Sequence, residues 1–189
     1  MQTQVSQERG LYSILANMFQ YPKEDINTLV QECKESLLNQ NQYSKELKGS
    51  MLKLLEEFQS NVESMTLDDL EGVYSYTFEL TSEYTMDLGH HLLDGFKRSN
   101  SLATIKAMYR ENEFPYAEEA KGELPDNLVV ILKFLDSLRD EDLKKNFRED
   151  FLIKGLEKLS KNFDGNKKNA YYPLVKMIQK VIEADVRLD

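Results

Sequence analysis

Apolar residues recur at separations of three and four along almost the whole chain, and a chain with that beat buries its apolar surface by packing helix on helix. Leu11, Ile14, Leu15, Met18 and Phe19 make the first stripe, expected to end near Tyr21 because Pro22 disfavours helical backbone in the residue before it. Ile26, Leu29, Val30, Cys33 and Leu37 make a second, opened by Asp25, and Leu47, Met51, Leu54, Leu55, Phe58 and Val62 a third, beyond a polar Asn39–Gln42 loop. Thr66 followed by Asp69 has the form of a capping box with Asp in place of Glu. The fourth helix follows it to Leu80, with Leu70, Tyr74, Thr77 and Phe78 on one face.

After Thr81-Ser82 the pattern predicts a short fifth helix from Glu83 to about Leu93, then a turn at Asp94-Gly95. Ser99 or Asn100 is expected to cap a sixth helix bearing Leu102, Ile105, Met108 and Tyr109. Asn112 to Glu123 reads as an ordered surface loop, and Pro125 as a first-turn residue of the helix carrying Leu128, Ile131, Leu132, Leu135 and Leu138. Asp140-Glu-Asp142 opens another helix, with Leu143, Phe147, Phe151, Leu152, Leu156 and Leu159 as its stripe, and a last helix runs from about Tyr171 into the acidic tail. The expected fold is all-α, one domain over residues 1–189, a bundle of about nine helices.

Eight Gly and four Pro in 189 residues suit helices. A net charge of -9, with Lys and Arg scattered, argues against nucleic acid or an anionic membrane as partner and favours a cationic peptide. The lone Cys33 sits in an apolar stripe, as a core thiol does. The first residues lack the basic start and apolar run of a signal peptide, and the longest aliphatic run, Leu128–Leu132, is too short to span a bilayer. The expectation is a soluble cytoplasmic protein without membrane insertion.

Little in the chain points to catalysis. The two histidines, His90 and His91, are adjacent, so on a helix they diverge, and His90 with Asp94 lacks the further ligands zinc needs. There is no Gly-rich phosphate loop and no evident Ser-His-acid relay, so the expectation is no enzyme, no cofactor and no metal. Tyr74 and Phe78, with Tyr76 and Tyr84 nearby, suit either a core or the wall of a peptide groove, and spacing alone favours the core. Lys97-Arg98 reads as a solvated turn, Asp126 as a first-turn acid favoured by the helix dipole, and Gly72 as a hint of close packing or of a surface kept open.

Taken together, Leu70-Glu71-x-x-Tyr74-x-x-Thr77-Phe78-Glu79-Leu80, a later basic turn, Leu102 and Tyr109, and Glu123-Leu-Pro-Asp126-x-Leu128 before Phe134-Leu135 resemble the nitrate reductase assembly chaperones, the NarJ-like members of the TorD and DmsD-like redox-enzyme maturation family. The resemblance covers about residues 8 to 138. It implies an all-helical cytoplasmic chaperone, monomer or weak dimer, that binds the N-terminal or twin-arginine leader segment of a molybdopterin-containing catalytic subunit and keeps it competent for cofactor insertion. Two positions depart from the family: Asn127 stands where histidine is frequent, and Ser99-Asn100 where Arg-Gly is usual. Asn keeps a donor and an acceptor but does not titrate.

A peptide groove is then expected between the helix of residues 67–80 and the chain around Pro125. In it Tyr74 and Phe78 would receive apolar side chains, Glu71, Glu79 and Asp126 would meet basic ones, and Pro125 and Asn127 would complete the wall. The alternative is a helical adaptor or regulator that binds a folded partner and has no maturation role.

Overall fold

Residues 9–23 and 26–188 are described by the computed structural model, and the first stripe forms α1 (Leu11–Met18). It ends three residues before Tyr21: the Phe19 N–H still bonds back to Leu15, and the chain then turns away. α2 (Ile26–Asn39) and α3 (Lys45–Glu63) follow, the latter capped by Ser44 Oγ accepting from Leu47 N at 3.2 Å; the expected Asp25 start of α2 lies outside the described residues. α4 (Leu67–Tyr74) opens on the reciprocal Thr66–Asp69 capping box. It continues as a π turn over Ser75–Glu79, closed by Leu80 N donating to Ser75 O at 2.9 Å. A π turn carries one residue more than an α turn, so side chains beyond it face a different direction from an uninterrupted helix, and such turns recur at functional sites.

The expected fifth helix is broken in two. A 3-10 turn, Ser82–Tyr84, is followed by extended chain and then α5 (Leu88–Leu92), because Met86 to Leu88 pair with another segment instead of with their own helix. α6 (Gly95–Glu111) begins at the supposed turn, four residues before the expected caps. Gly95 there adopts a left-handed φ of 50°, the reversal glycine tolerates, and Asp94 O accepts from Lys97 N and Arg98 N. The expected loop contains α7 (Tyr116–Ala120). α8 (Leu128–Ser137) starts after Asn127, so Pro125 precedes the helix and Asp126 is not a first-turn acid. α9 (Glu141–Phe147), capped by Asp140, passes through a second π turn, Arg148–Leu152, into α10 (Ile153–Phe163), and α11 (Tyr172–Leu188) stays helical through the tail's described residues.

The bundle is all-α, with no strand among the described residues. α8 packs on α1, α11 on α3 and α10, and α5 on α10. Val130, Ile131, Leu132, Phe134 and Leu135 of α8 are fully buried, as are Leu174, Val175, Met177, Ile178, Val181 and Ile182 of α11. At about 1.5–3 kcal/mol per large side chain, these two helices are the main apolar axis. Cys33 lies wholly in the core, where burial pushes its thiol up to about 12. Gly72 faces open space, so no close packing requires a glycine there.

Candidate functional site

Two segments far apart in sequence are clipped together beside α4. Leu128 N donates to Met86 O at 2.8 Å and Leu88 N to Asp126 O at 2.9 Å, giving an isolated antiparallel bridge between Asp87 and Asn127. Behind it, Tyr109 Oη donates to Pro125 O at 2.7 Å and anchors the clip to α6. Asn127 uses its amide fully: Oδ1 accepts from Val129 N at 3.0 Å, capping α8, while Nδ2 donates to Glu123 Oε2 at 3.1 Å and Asp87 Oδ1 at 3.3 Å.

Asp126 is buried at the centre of the clip, 1% exposed. One η nitrogen of Arg98 lies 3.3 Å from Asp126 Oδ2 and 3.3 Å from Asp87 Oδ2, and Nε lies 3.4 Å from Asp126 Oδ2. Asp126 Oδ1 is buried without a hydrogen-bond partner. Burial, then the Asp87 charge, raises the Asp126 pKa above the usual carboxylate range, and Arg98 opposes the rise. Gly89 packs against this carboxylate so closely that a Cβ would collide with Asp126 Oδ2.

On the other side of Asn127 a cleft of about 250 Å³ opens between the end of α4, the start of α8 and α7. Tyr74, Met86, Ala120 and Val129 are its buried floor. Glu79, Glu123, Lys23 and Lys121 are its exposed rim, with Tyr21 set edge-on to Tyr74 at 5.4 Å between ring centroids. Lys133, also at the cleft, is held by Glu119 Oε2 at 2.9 Å. Burial raises the Glu123 pKa, and the charges of Asp87 and Glu79 add to it. An aromatic and aliphatic floor under a rim of both signs suits an extended or helical segment with apolar and charged side chains.

Of the expected groove residues, Tyr74, Glu79 and Asn127 meet at this cleft. Phe78 does not: it is 6% exposed in a ring cluster with Phe19, Tyr74, Phe163 and Tyr171, so its place is the core. Tyr74 belongs to both, donating its hydroxyl to Phe19 O at 3.1 Å while lining the cleft. Glu71 stands beside the Tyr21 hydroxyl, whose pKa is raised first by desolvation and then by that charge. Pro125 is buried behind the wall, and Asp126 faces Arg98 rather than the cleft. Arg98, expected in a solvated turn, is thus a part-exposed cation paired with a buried carboxylate.

Nothing in the spacing of Tyr21, Met86, Asp87 and Arg98 marks them as site residues, because only folding brings them here. Thr77, on the expected inward face, is fully buried, accepting from Asn169 Nδ2 at 2.7 Å and donating to Val73 O at 2.6 Å. His91 Nε2 lies 2.8 Å from Thr85 O, so this nitrogen donates; burial lowers the ring's pKa more than that bond raises it. His90 is exposed, and among the described residues no group of three or more His, Cys, Asp or Glu side chains is placed to hold a metal. Neither a protein-family model nor a curated protein matches the sequence.

Proposed function

We propose that this protein is an assembly chaperone whose cleft holds an apolar, basic segment of a client chain. The observation that carries the reading is the meeting of Tyr74 and Glu79, from the sequence motif of α4, with Glu123 and Asn127, from the motif before α8, on one cleft with a buried apolar floor. Both halves of the resemblance to the NarJ-like chaperones therefore bear on one cavity. On a rim that also carries Lys23 and Lys121, Glu79 and Glu123 offer carboxylates to the basic side chains of a segment drawn to a chain of net charge -9, while Tyr21 and Tyr74 offer rings for its apolar side chains.

By that resemblance the client is the catalytic subunit of a molybdopterin-containing oxidoreductase of the nitrate reductase kind. The segment is its N-terminal or twin-arginine leader region, and the chaperone keeps that subunit competent for cofactor insertion in the cytoplasm, before membrane docking or export. Among the described residues no helix is long and apolar enough to cross a membrane, which is compatible with this role.

The test is affinity capture of the chain from its native host grown without oxygen, followed by calorimetry with the N-terminal peptide of the co-purifying large subunit. Binding is expected to weaken about tenfold or more in Tyr21→Ala and in Glu79→Gln. Capture of no molybdopterin subunit, or unaltered affinity in both variants, overturns the reading. A second reading, an adaptor for a folded partner, is favoured by Tyr76 and Leu80, which stand 63% and 78% exposed within and just after the π turn that follows α4. Tyr76→Ser with Leu80→Ser separates the two, since it abolishes only adaptor binding.

A further inference from the structure

The first half of α6, residues 95–104, contains no buried residue and leaves Phe96 80% exposed. Among the described residues, Arg98 is its only side chain that hydrogen-bonds outside the helix, and every such bond goes to Asp87 or Asp126. The attachment is incomplete. Its contacts span 3.3–3.4 Å, against about 2.7–2.9 Å for a well-matched guanidinium–carboxylate pair. Only Oδ2 of Asp126 is engaged, and buried Oδ1 has no donor, although a guanidinium fork can serve both oxygens of one carboxylate.

The same ion pair is wired to the cleft. Asn127 Nδ2 is shared between Glu123, on the rim, and Asp87, which Arg98 holds. From a rim where Glu79 and Glu123 stand beside Lys23 and Lys121, carboxylates run inward to Asp87 and Asp126, and the cation at the inner end is the chain's own Arg98.

We propose that Arg98 is a placeholder: an arginine of the segment held in the cleft, reaching past the Asn127 amide that joins Glu123 to Asp87, displaces Arg98 from Asp87 and Asp126, supplies a donor to Asp126 Oδ1, and frees the first half of α6 with Phe96. The inference rests on the peptide-binding reading above. Arginine is required because a planar fork matches two adjoining carboxylates, whereas lysine brings a point charge. Release of α6 turns occupancy of the cleft into a change of exposed surface.

The probe is a synthetic amphipathic peptide of leucine, phenylalanine and arginine, with a counterpart bearing glutamine for arginine, measured by calorimetry against wild type and Arg98→Gln. Removing the internal competitor is expected to tighten the arginine peptide about five- to twentyfold and leave the glutamine peptide unchanged. In wild type, backbone amides of residues 96–104 are expected to exchange faster when the arginine peptide is bound. If the arginine peptide binds wild type but binds Arg98→Gln equally or more weakly, the placeholder role falls and the cleft reading stands. Absence of binding to both proteins overturns the two together. Should Arg98→Gln not fold, wild-type exchange alone decides, and unchanged or slower exchange over 96–104 overturns the proposal.

Discussion

Arg98 and Asp126, 28 residues apart in sequence, meet at 3.3 Å where the Arg98 side chain stays 24% exposed and that of Asp126 only 1%. Removing the cation strands a buried charge. Arg98→Ala is expected to destabilise the fold by about 2–3 kcal/mol, below the range for a fully buried pair because the guanidinium is partly solvated. Because the folded pKa of Asp126 is raised, the native state holds its proton more tightly, and stability falls as pH climbs from the ordinary carboxylate pKa through the raised one. Without Arg98 the pKa rises further, so urea denaturation should show a larger loss at about pH 8 than at about pH 5. Equal losses would place the pair's contribution in packing rather than charge.

Gly89 gives way to no side chain without moving Asp126. Gly89→Ala should cost about 1–3 kcal/mol from overpacking, despite the better helix propensity of alanine. In a double-mutant cycle the penalty should shrink when Asp126 is first truncated to Ala, because the colliding atoms are then gone. A penalty independent of Asp126 would mean the crowding lies elsewhere.

Phe78 and Glu79 are neighbours with opposite surroundings, one in the core and one on the exposed rim. Phe78→Ala is expected to lose about 3–5 kcal/mol by emptying the ring cluster it shares with Phe19, Phe163 and Tyr171. Glu79→Gln, on the exposed rim, should leave the melting temperature nearly unaltered and weaken a cationic peptide. Thermal denaturation and calorimetry on the two variants check this, and a stable Phe78→Ala would remove that ring from the core.

The first and last helices are tied by Asp185, whose two oxygens accept from the Tyr12 and Tyr43 hydroxyls at 2.6 Å each. Tyr12→Phe and Tyr43→Phe should each cost about 1–2 kcal/mol, a hydrogen bond to a charged acceptor in partial burial. Because both report on one carboxylate, the double variant should depart from additivity in chemical denaturation. Simple addition would make the two bonds independent.

His91 is expected to add acid sensitivity. Its folded pKa is lowered by burial, so the native state binds a proton less readily than the unfolded chain, and stability is lost as pH falls below the ordinary histidine value through the lower folded one. His91→Gln should flatten the dependence of the melting temperature between about pH 7 and pH 5. A slope unaltered by the substitution would assign it to other groups.

Residue pattern alone determined the all-α class, most of the inward-facing side chains and several helix starts, because helical periodicity and capping are local. The Thr66–Asp69 box forms and a helix opens at Asp140 as expected, and Leu70, Tyr74, Thr77 and Phe78 all turn inward. Boundaries failed where a long-range partner outweighed local preference. Met86 to Leu88 left the helical pattern to pair with residues 126–128, and α6 extended back to Gly95, which carries Arg98 to Asp126.

The same division runs through the site. The two motifs, around Tyr74 and around Asp126, were visible in the chain, but the spacing of residues does not say which side of a wall each occupies. Tertiary structure decided that Glu79 and Glu123 rim a cleft, that Phe78 is core, and that Asp126 is buried against Arg98. The physical reason is that burial and charge pairing depend on distances between segments remote in sequence, whereas periodicity and capping depend only on neighbours within a turn or two.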